Sequence, residues 1–146
     1  MSSVKFNDFT IEVKTVIAGL AEKVLEEVAG ELESQVKQNT AVDTGKTKNS
    51  WTHNVKSSGD QYTATVGSPE ENAIWEELGT GQYALNGNGR KGGWFYVDEK
   101  GKGHFTYGKH PRRPLYKAYT SLKNKMIRYM QDAFKGGFQC FAILYW

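Results

Sequence analysis

Residues 50–66 read Ser50-Trp51-Thr52-His53-Asn54-Val55-Lys56-Ser57-Ser58-Gly59-Asp60-Gln61-Tyr62-Thr63-Ala64-Thr65-Val66. Two alternating runs flank a cluster of turn formers. Trp51, His53 and Val55 fall on one side of the first run; Tyr62, Ala64 and Val66 fall together in the second. Ser57-Ser58-Gly59-Asp60 supplies the polar, glycine-containing reversal. The stretch reads as a β-hairpin, so the chain contains antiparallel strands, and what surrounds it decides the class.

Upstream, Asp8 to Asn39 carries helical periodicity. Val13, Val16, Ile17, Leu20, Val24, Val28, Leu32 and Val36 recur at three- and four-residue steps and form one stripe. Glu22, Lys23, Glu26, Glu27, Glu31 and Glu33 lie largely off it. Gly19 and Gly30 weaken this helix by about 1 kcal/mol each relative to alanine and are read as a bend or a close helix–helix contact. A loop at Thr40 to Gly45 leads to the hairpin.

Downstream, Ser68-Pro69-Glu70-Glu71 opens a short helix that reaches Leu78: serine caps, proline suits the first turn, and acids suit the positive helix end. Gly79-Thr80-Gly81 ends it. Residues 82–92, rich in glycine and asparagine, predict a long exposed loop. Trp94 to Val97 and His104 to Tyr107 read as a second hairpin about a turn at Asp98 to Gly103. Two prolines keep Gly108 to Pro114 out of regular structure. Pro114 to Phe134 reads as a final helix with Leu115, Ala118, Tyr119, Leu122, Met126, Tyr129, Met130 and Phe134 along one side. Gly136-Gly137 is expected to stop it and to leave an apolar tail at 138–146.

The order helix, hairpin, short helix, loop, hairpin, helix predicts an α+β fold: a small antiparallel sheet built from two hairpins, packed by long N- and C-terminal helices. The chain has 146 residues, which suits one domain over 1–146. Hydrophobic residues make up 38% and charged residues 24%, too apolar for a disordered chain. The start, Met1-Ser2-Ser3-Val4-Lys5, lacks the features of a signal peptide, and Phe141 to Trp146 is too short to cross a bilayer. A lone cysteine, Cys140, cannot form an internal disulfide. These features predict a protein folded in a reducing cytoplasm, with no membrane partner.

Chemistry finds little footing. Gly87-Asn88-Gly89-Arg90-Lys91-Gly92 has the letters of a dinucleotide fingerprint, but a loop precedes it and a strand follows, the wrong context. His53, His104 and His110 lack metal-ligand spacing, so no metal and no cofactor are expected. His53 is read as packing or hydrogen-bonding in its strand; His104 and His110 are read as exposed. Glu76-Glu77 and Asp98-Glu99 are read as solvated faces and turns rather than paired catalytic acids. No nucleophile elbow is present. No enzyme is predicted.

Charge is distributed unevenly although the net is only +3. Arg90, Lys91, Lys100, Lys102, Lys109, Arg112, Arg113 and Lys117 fall in the second half; the acids concentrate in the first helix and around Glu70 to Glu77. Such a layout suits head-to-tail contact between copies, or a surface facing a phosphate backbone.

Three blocks then stand out: Val42-Asp43-Thr44-Gly45-Lys46-Thr47-Lys48-Asn49-Ser50-Trp51, Ala73-Ile74-Trp75-Glu76-Glu77-Leu78-Gly79-Thr80-Gly81, and Gly108 through Pro114-Leu115-Tyr116-Lys117-Ala118. In order and spacing they resemble the tail-component family of long-tailed phages, the gene-product-ten-like neck proteins. That family has a D-T-G-x-L-x-x-S block before a hairpin, then Y-A-x-x-x-E-x-G-T, then P-x-P-F-L-x-P-A opening the last helix. The resemblance covers about Thr40 to Phe134, plus the preceding helix by position. Here Thr47 stands for the family's leucine, Asn72 stands for its tyrosine, and the third block lacks the second phenylalanine–proline character. Asp43 and Thr44 can turn or cap the backbone, Gly45 can take a positive φ, Gly79 and Gly81 can make a sharp reversal, and Pro114 suits a first helical turn.

The resemblance implies a structural virion protein, assembled in the host cytoplasm, that forms a homo-oligomeric ring in the phage neck. Its partners would be head connector or stopper proteins on one side and tail terminator or tube proteins on the other, with DNA passing through the lumen. Arg90, Lys91, Lys109, Arg112 and Arg113 are the candidate subunit- or DNA-facing contacts. Asp43, Thr44, Gly45, Glu77, Gly79, Thr80, Gly81 and Pro114 are the candidate structural residues of the motifs. The alternative is a nucleic-acid-binding module that uses the basic second half.

Overall fold

The computed structural model describes residues 2–43 and 45–144, with side chains described from 17 to 135 apart from residue 44. The order is α1 (Ser2–Asn39), α2 (Lys46–Asn49), β1 (Thr52–Ser58), β2 (Gln61–Gly67), α3 (Glu71–Leu78), a 3₁₀ turn (Gly81–Tyr83), β3 (Trp94–Val97), β4 (Gly103–Thr106) and α4 (Pro114–Leu144). The class is α+β, with both hairpins and both long helices in the expected order. The hairpins do not merge: β1–β2 and β3–β4 are separate two-stranded sheets.

Several boundaries differ from the expectation. β1 spans Thr52–Ser58 rather than Ser50–Lys56, β4 spans Gly103–Thr106 rather than His104–Tyr107, and α3 opens at Glu71 with Glu70, not Ser68, at its N-cap. The first helix begins at Ser2 rather than Asp8, and a single helical turn, α2, occupies what read as plain connection. The last helix runs through Gly136-Gly137 to Leu144. A glycine still donates its backbone N–H to the helix ladder, unlike proline, so a pair of them weakens a helix without ending it. The side chains of residues 138–146, read as an apolar tail, lie outside the described residues.

The chain forms two compact units, each discontinuous in sequence. One comprises the stretch ending at Glu33, His53–Val66 and the stretch beginning at Ser121; the other comprises Ser34–Thr52 and Gly67–Thr120. In the first, Val24, Ala29 and Met126 are buried. There Lys125 Nζ donates to Glu31, and His53 on β1 lies between Glu33 and Glu26 of α1. A Cβ at Gly30 would stand 3.7 Å from the His53 ring, so the glycine leaves ordinary contact room for the imidazole.

The second unit buries Val36, Trp51, Ala73, Pro114 and Ala118. Asn39 Nδ2 donates to the Pro114 carbonyl oxygen at 3.1 Å, tying the end of α1 to the start of α4. Along α4, Pro114, Ala118 and Met126 are buried at multiples of four residues, while Tyr119 and Tyr129, expected on that stripe, are 45% and 41% exposed. Strand β3 pairs with β4 in the register Trp94–Thr106, Phe95–Phe105, Tyr96–His104 and Val97–Gly103. Asp98 organises the turn: its Oδ1 accepts from the backbone N–H groups of Lys100 and Lys102, each at 2.9 Å, and its Oδ2 meets His104 Nε2 at 2.8 Å. The His104 hydrogen bond, then those from the backbone, hold the Asp98 carboxyl below its ordinary 3.8.

Candidate functional site

The second and third sequence blocks lie against each other, backbone to backbone. Thr80 N–H donates to the Lys109 carbonyl at 2.9 Å, Lys109 N–H donates to Thr80 Oγ1 at 2.9 Å, and Gln82 N–H donates to the Tyr107 carbonyl at 3.1 Å. Contact this close needs glycine on both sides. Gly81 has φ 61°, and a Cβ there would collide with the Tyr107 carbonyl oxygen; one at Gly108 would collide with the carbonyl oxygen of Thr80. At Gly79, with φ 73°, a Cβ would come within 2.8 Å of the Lys109 carbonyl oxygen.

Two adjacent glutamates complete the lock. Glu76 is only 5% exposed; its carboxylate accepts from Lys109 Nζ, and its carbonyl oxygen accepts from Arg112 N–H at 2.8 Å and Arg113 N–H at 3.1 Å. Arg112 Nε lies 3.9 Å from Glu76 Oε2, beyond hydrogen-bond reach, and Oε2 makes no hydrogen bond among the described residues. Glu77 reaches the start of α4, where its two oxygens accept from Leu115 N–H at 2.8 Å and Tyr116 N–H at 3.1 Å. A carboxylate here satisfies orphan donors and meets the positive end of the helix dipole. The buried Pro114 occupies the first helical position, which needs no N–H. Arg113 before it takes φ 56°, unusual for a side-chain-bearing residue, and its guanidinium stacks 3.6 Å from the centre of the Tyr116 ring.

The first block joins through polar contacts. Ser50 and Ser68 share a hydroxyl–hydroxyl hydrogen bond of 2.6 Å, Asn72 Nδ2 donates to Thr47 Oγ1 at 3.2 Å, and Lys46 pairs with Glu70 at 3.1 Å. Gly45 precedes α2 with φ 81°. All three blocks meet around one polar cavity of about 310 Å³, whose lining includes Asp43, Gly45, Asn72, Glu76, Lys109 and Arg112.

The first two blocks, and not the third, lie within a match to a known family. Residues 5–84, more than half of the chain, match the HK97-gp10-like family, described as "Bacteriophage HK97-gp10, putative tail-component". The chain belongs to the HK97-gp10-like family. It is therefore a structural component of a phage tail. No curated protein and no solved structure matches it. No helix of the described residues is long and apolar enough to cross a membrane.

Within this family framework, the candidate residues divide. Lys109 and Arg112 come together at the Glu76 cavity, with Asp43 and Gly45 on its wall. Arg113 binds Glu76 through its main chain. Arg90 and Lys91 are exposed in the loop and do not line that cavity; the Arg90 guanidinium lies 5.9 Å from the Trp94 ring. Thr44 lies outside the described residues. Glu76, read from sequence as solvated, is corrected: it is buried against Lys109. Glu77, read as solvated from its local pattern and as structural from the motif, caps α4. No local pattern announces this, because their partners stand more than 30 residues away. His110, exposed as expected, stacks on Tyr83 with ring centres 3.7 Å apart. His53 holds a raised pKa, above the ordinary 6.5: the Glu33 hydrogen bond raises it most, burial opposes, and the Glu26 bond of 2.9 Å adds to the rise.

Proposed function

We propose that this tail component forms a closed homo-oligomeric ring in the phage neck, joins head to tail as a connector or completion protein, and lets DNA pass through its lumen. Connector or stopper proteins would contact one face of the ring, and terminator or tube proteins the other. The observation that supports this reading, given the family, is an excess of exposed basic side chains in one unit. Arg90, Lys91, Lys100, Lys102, Arg112 and Lys117 are exposed there against Asp43, Glu71 and Glu99, whereas the exposed acids of the other unit are matched by bases such as Lys23, Lys56, Lys125 and Arg128 among the described residues. A basic surface of this kind favours a phosphate backbone or an acidic patch on a neighbour. Lys109 contributes less to such a surface than its sequence position implies, because Glu76 neutralises it.

The test is a phage carrying Arg90→Glu and Lys91→Glu. Exposed loop charges move stability by less than about 0.5 kcal/mol, so the protein keeps its fold. Full heads and free tails should accumulate without joining. Normal titre and normal particles would refute the role of these residues, and absence of the chain from purified virions would refute the neck reading itself.

A further inference from the structure

We infer that the β3–β4 hairpin is a self-association element: the outer face of one copy's hairpin seats in an aromatic groove of the next copy, head to tail. The inference rests on the ring reading and specifies its contact. Paired residues of a hairpin share a face. Trp94, Tyr96 and Thr106 thus lie on one face, Phe95, Val97 and Phe105 on the other.

The first face forms part of a groove of about 600 Å³ completed by Trp75 of α3, with Asn72 and Lys109 at its polar edge. Trp75 is 47% exposed and Tyr96 46%. The second face has no cover among the described residues: Phe95 is 67% exposed, Val97 61% and Phe105 59%. A two-stranded hairpin that is apolar on both faces is marginal in water by itself, and contiguous exposed apolar side chains mark contact sites.

Three observations commit the occupant to a second copy. First, groove and plug sit on opposite faces of one hairpin, so filling one leaves the other available, which is the geometry of a heterologous, repeating contact. Second, the charges match. Glu71, exposed, lies one helical turn from Trp75 on the same stripe of α3 and next to the groove-lining Asn72; at the hairpin tip the exposed Lys100 and Lys102 outweigh the exposed Glu99. Third, the area suits a contact that repeats. At about 150–250 Å² per aromatic side chain, about two-thirds exposed, and with Val97 added, the plug covers on the order of 350 Å². That is below the roughly 800 Å² per partner of a standard interface, so the contact is weak in an isolated pair and is held where ring closure engages every copy on both sides.

Cross-linking within particles tests this. A phage encoding Trp75→Cys and Phe95→Cys in a Cys140→Ser background is oxidised with diamide and read on a non-reducing gel. Strand alternation turns Phe95 away from the groove of its own chain, so a bond between the two cysteines joins neighbours. The expected result is a ladder of dimers, trimers and larger species, absent from each single-cysteine phage. A ladder that stops at dimer, or a product containing a chain of different mass, overturns the inference. So does the absence of any ladder in particles whose neck mass shows a ring; the ring reading then stands. Absence of the chain from virions overturns the ring reading and this one with it. If the double variant fails to assemble, purified Phe95→Asp and Trp75→Asp proteins replace it. Each should be monomeric alone, and the mixture, concentrated well above the point at which the unaltered protein oligomerises so that a weak pair is populated, should form dimers and no larger species in sedimentation equilibrium. No dimer under those conditions overturns the inference.

Discussion

Replacing Glu77 by alanine should destabilise the chain far more than its place in a run of surface-like acids implies. Its carboxylate accepts two backbone N–H groups from the first turn of α4, at 2.8 and 3.1 Å. Hydrogen bonds to a charged acceptor contribute about 1.5–3 kcal/mol each, but a donor that regains water recovers much of this. Tyr116 is exposed and its N–H rehydrates; Leu115 is half-buried and its N–H does so poorly. Loss of a helix cap costs about 0.5–2 kcal/mol, and loss of the favourable dipole contact about 0.3–1 kcal/mol. Together these place the cost of Glu77→Ala at about 2 kcal/mol. For a domain of this size that is a fall in Tm of about 4–8 °C. Glu77→Gln keeps an acceptor but loses the charge, and should cost about half as much. Thermal melts and urea unfolding of the three proteins check this. A Glu77→Ala protein that melts within about 1 °C of the parent would refute the reasoning, as would a glutamine variant as unstable as alanine.

Two further outcomes follow from the same geometry. Because the Glu33 and Glu26 bonds raise the His53 pKa above its unfolded value, their contribution is fully present below about pH 6.5 and fades as pH rises through the folded value; the urea midpoint should fall over that interval, and His53→Gln should remove the trend, so identical pH profiles would contradict it. Gly59 and Gly81 share φ 61°, yet a Cβ at Gly59 would meet nothing within 4 Å while one at Gly81 would strike the Tyr107 carbonyl; Gly59→Ala should therefore cost about 1 kcal/mol, and Gly81→Ala should cost clearly more, a difference that equilibrium unfolding resolves.

What the amino-acid sequence determined by itself is local. Period-two alternation at 52–66 and the four-residue steps along 13–36 and 114–134 place strands and helices, because side-chain direction is set by backbone geometry within a few residues. The glycines of 79–81 and the prolines of 111–114 are legible as special backbone for the same reason. The first two blocks lie in the stretch that carries the family match. Tertiary structure alone decided what those pieces are for. Glu76 and Glu77 look alike as neighbours in a charged run, yet helical geometry turns them to different partners: one meets Lys109, the other caps α4. Their partners lie 33 to 39 residues away, a separation at which no periodicity links acceptor to donor. The same holds for Gly81, whose need for a bare backbone arises from the Tyr107 carbonyl across the contact, and for Phe95, whose exposure follows from what does not pack on it. Neighbours in sequence constrain dihedral angles; only the folded chain decides which charges and which backbones meet.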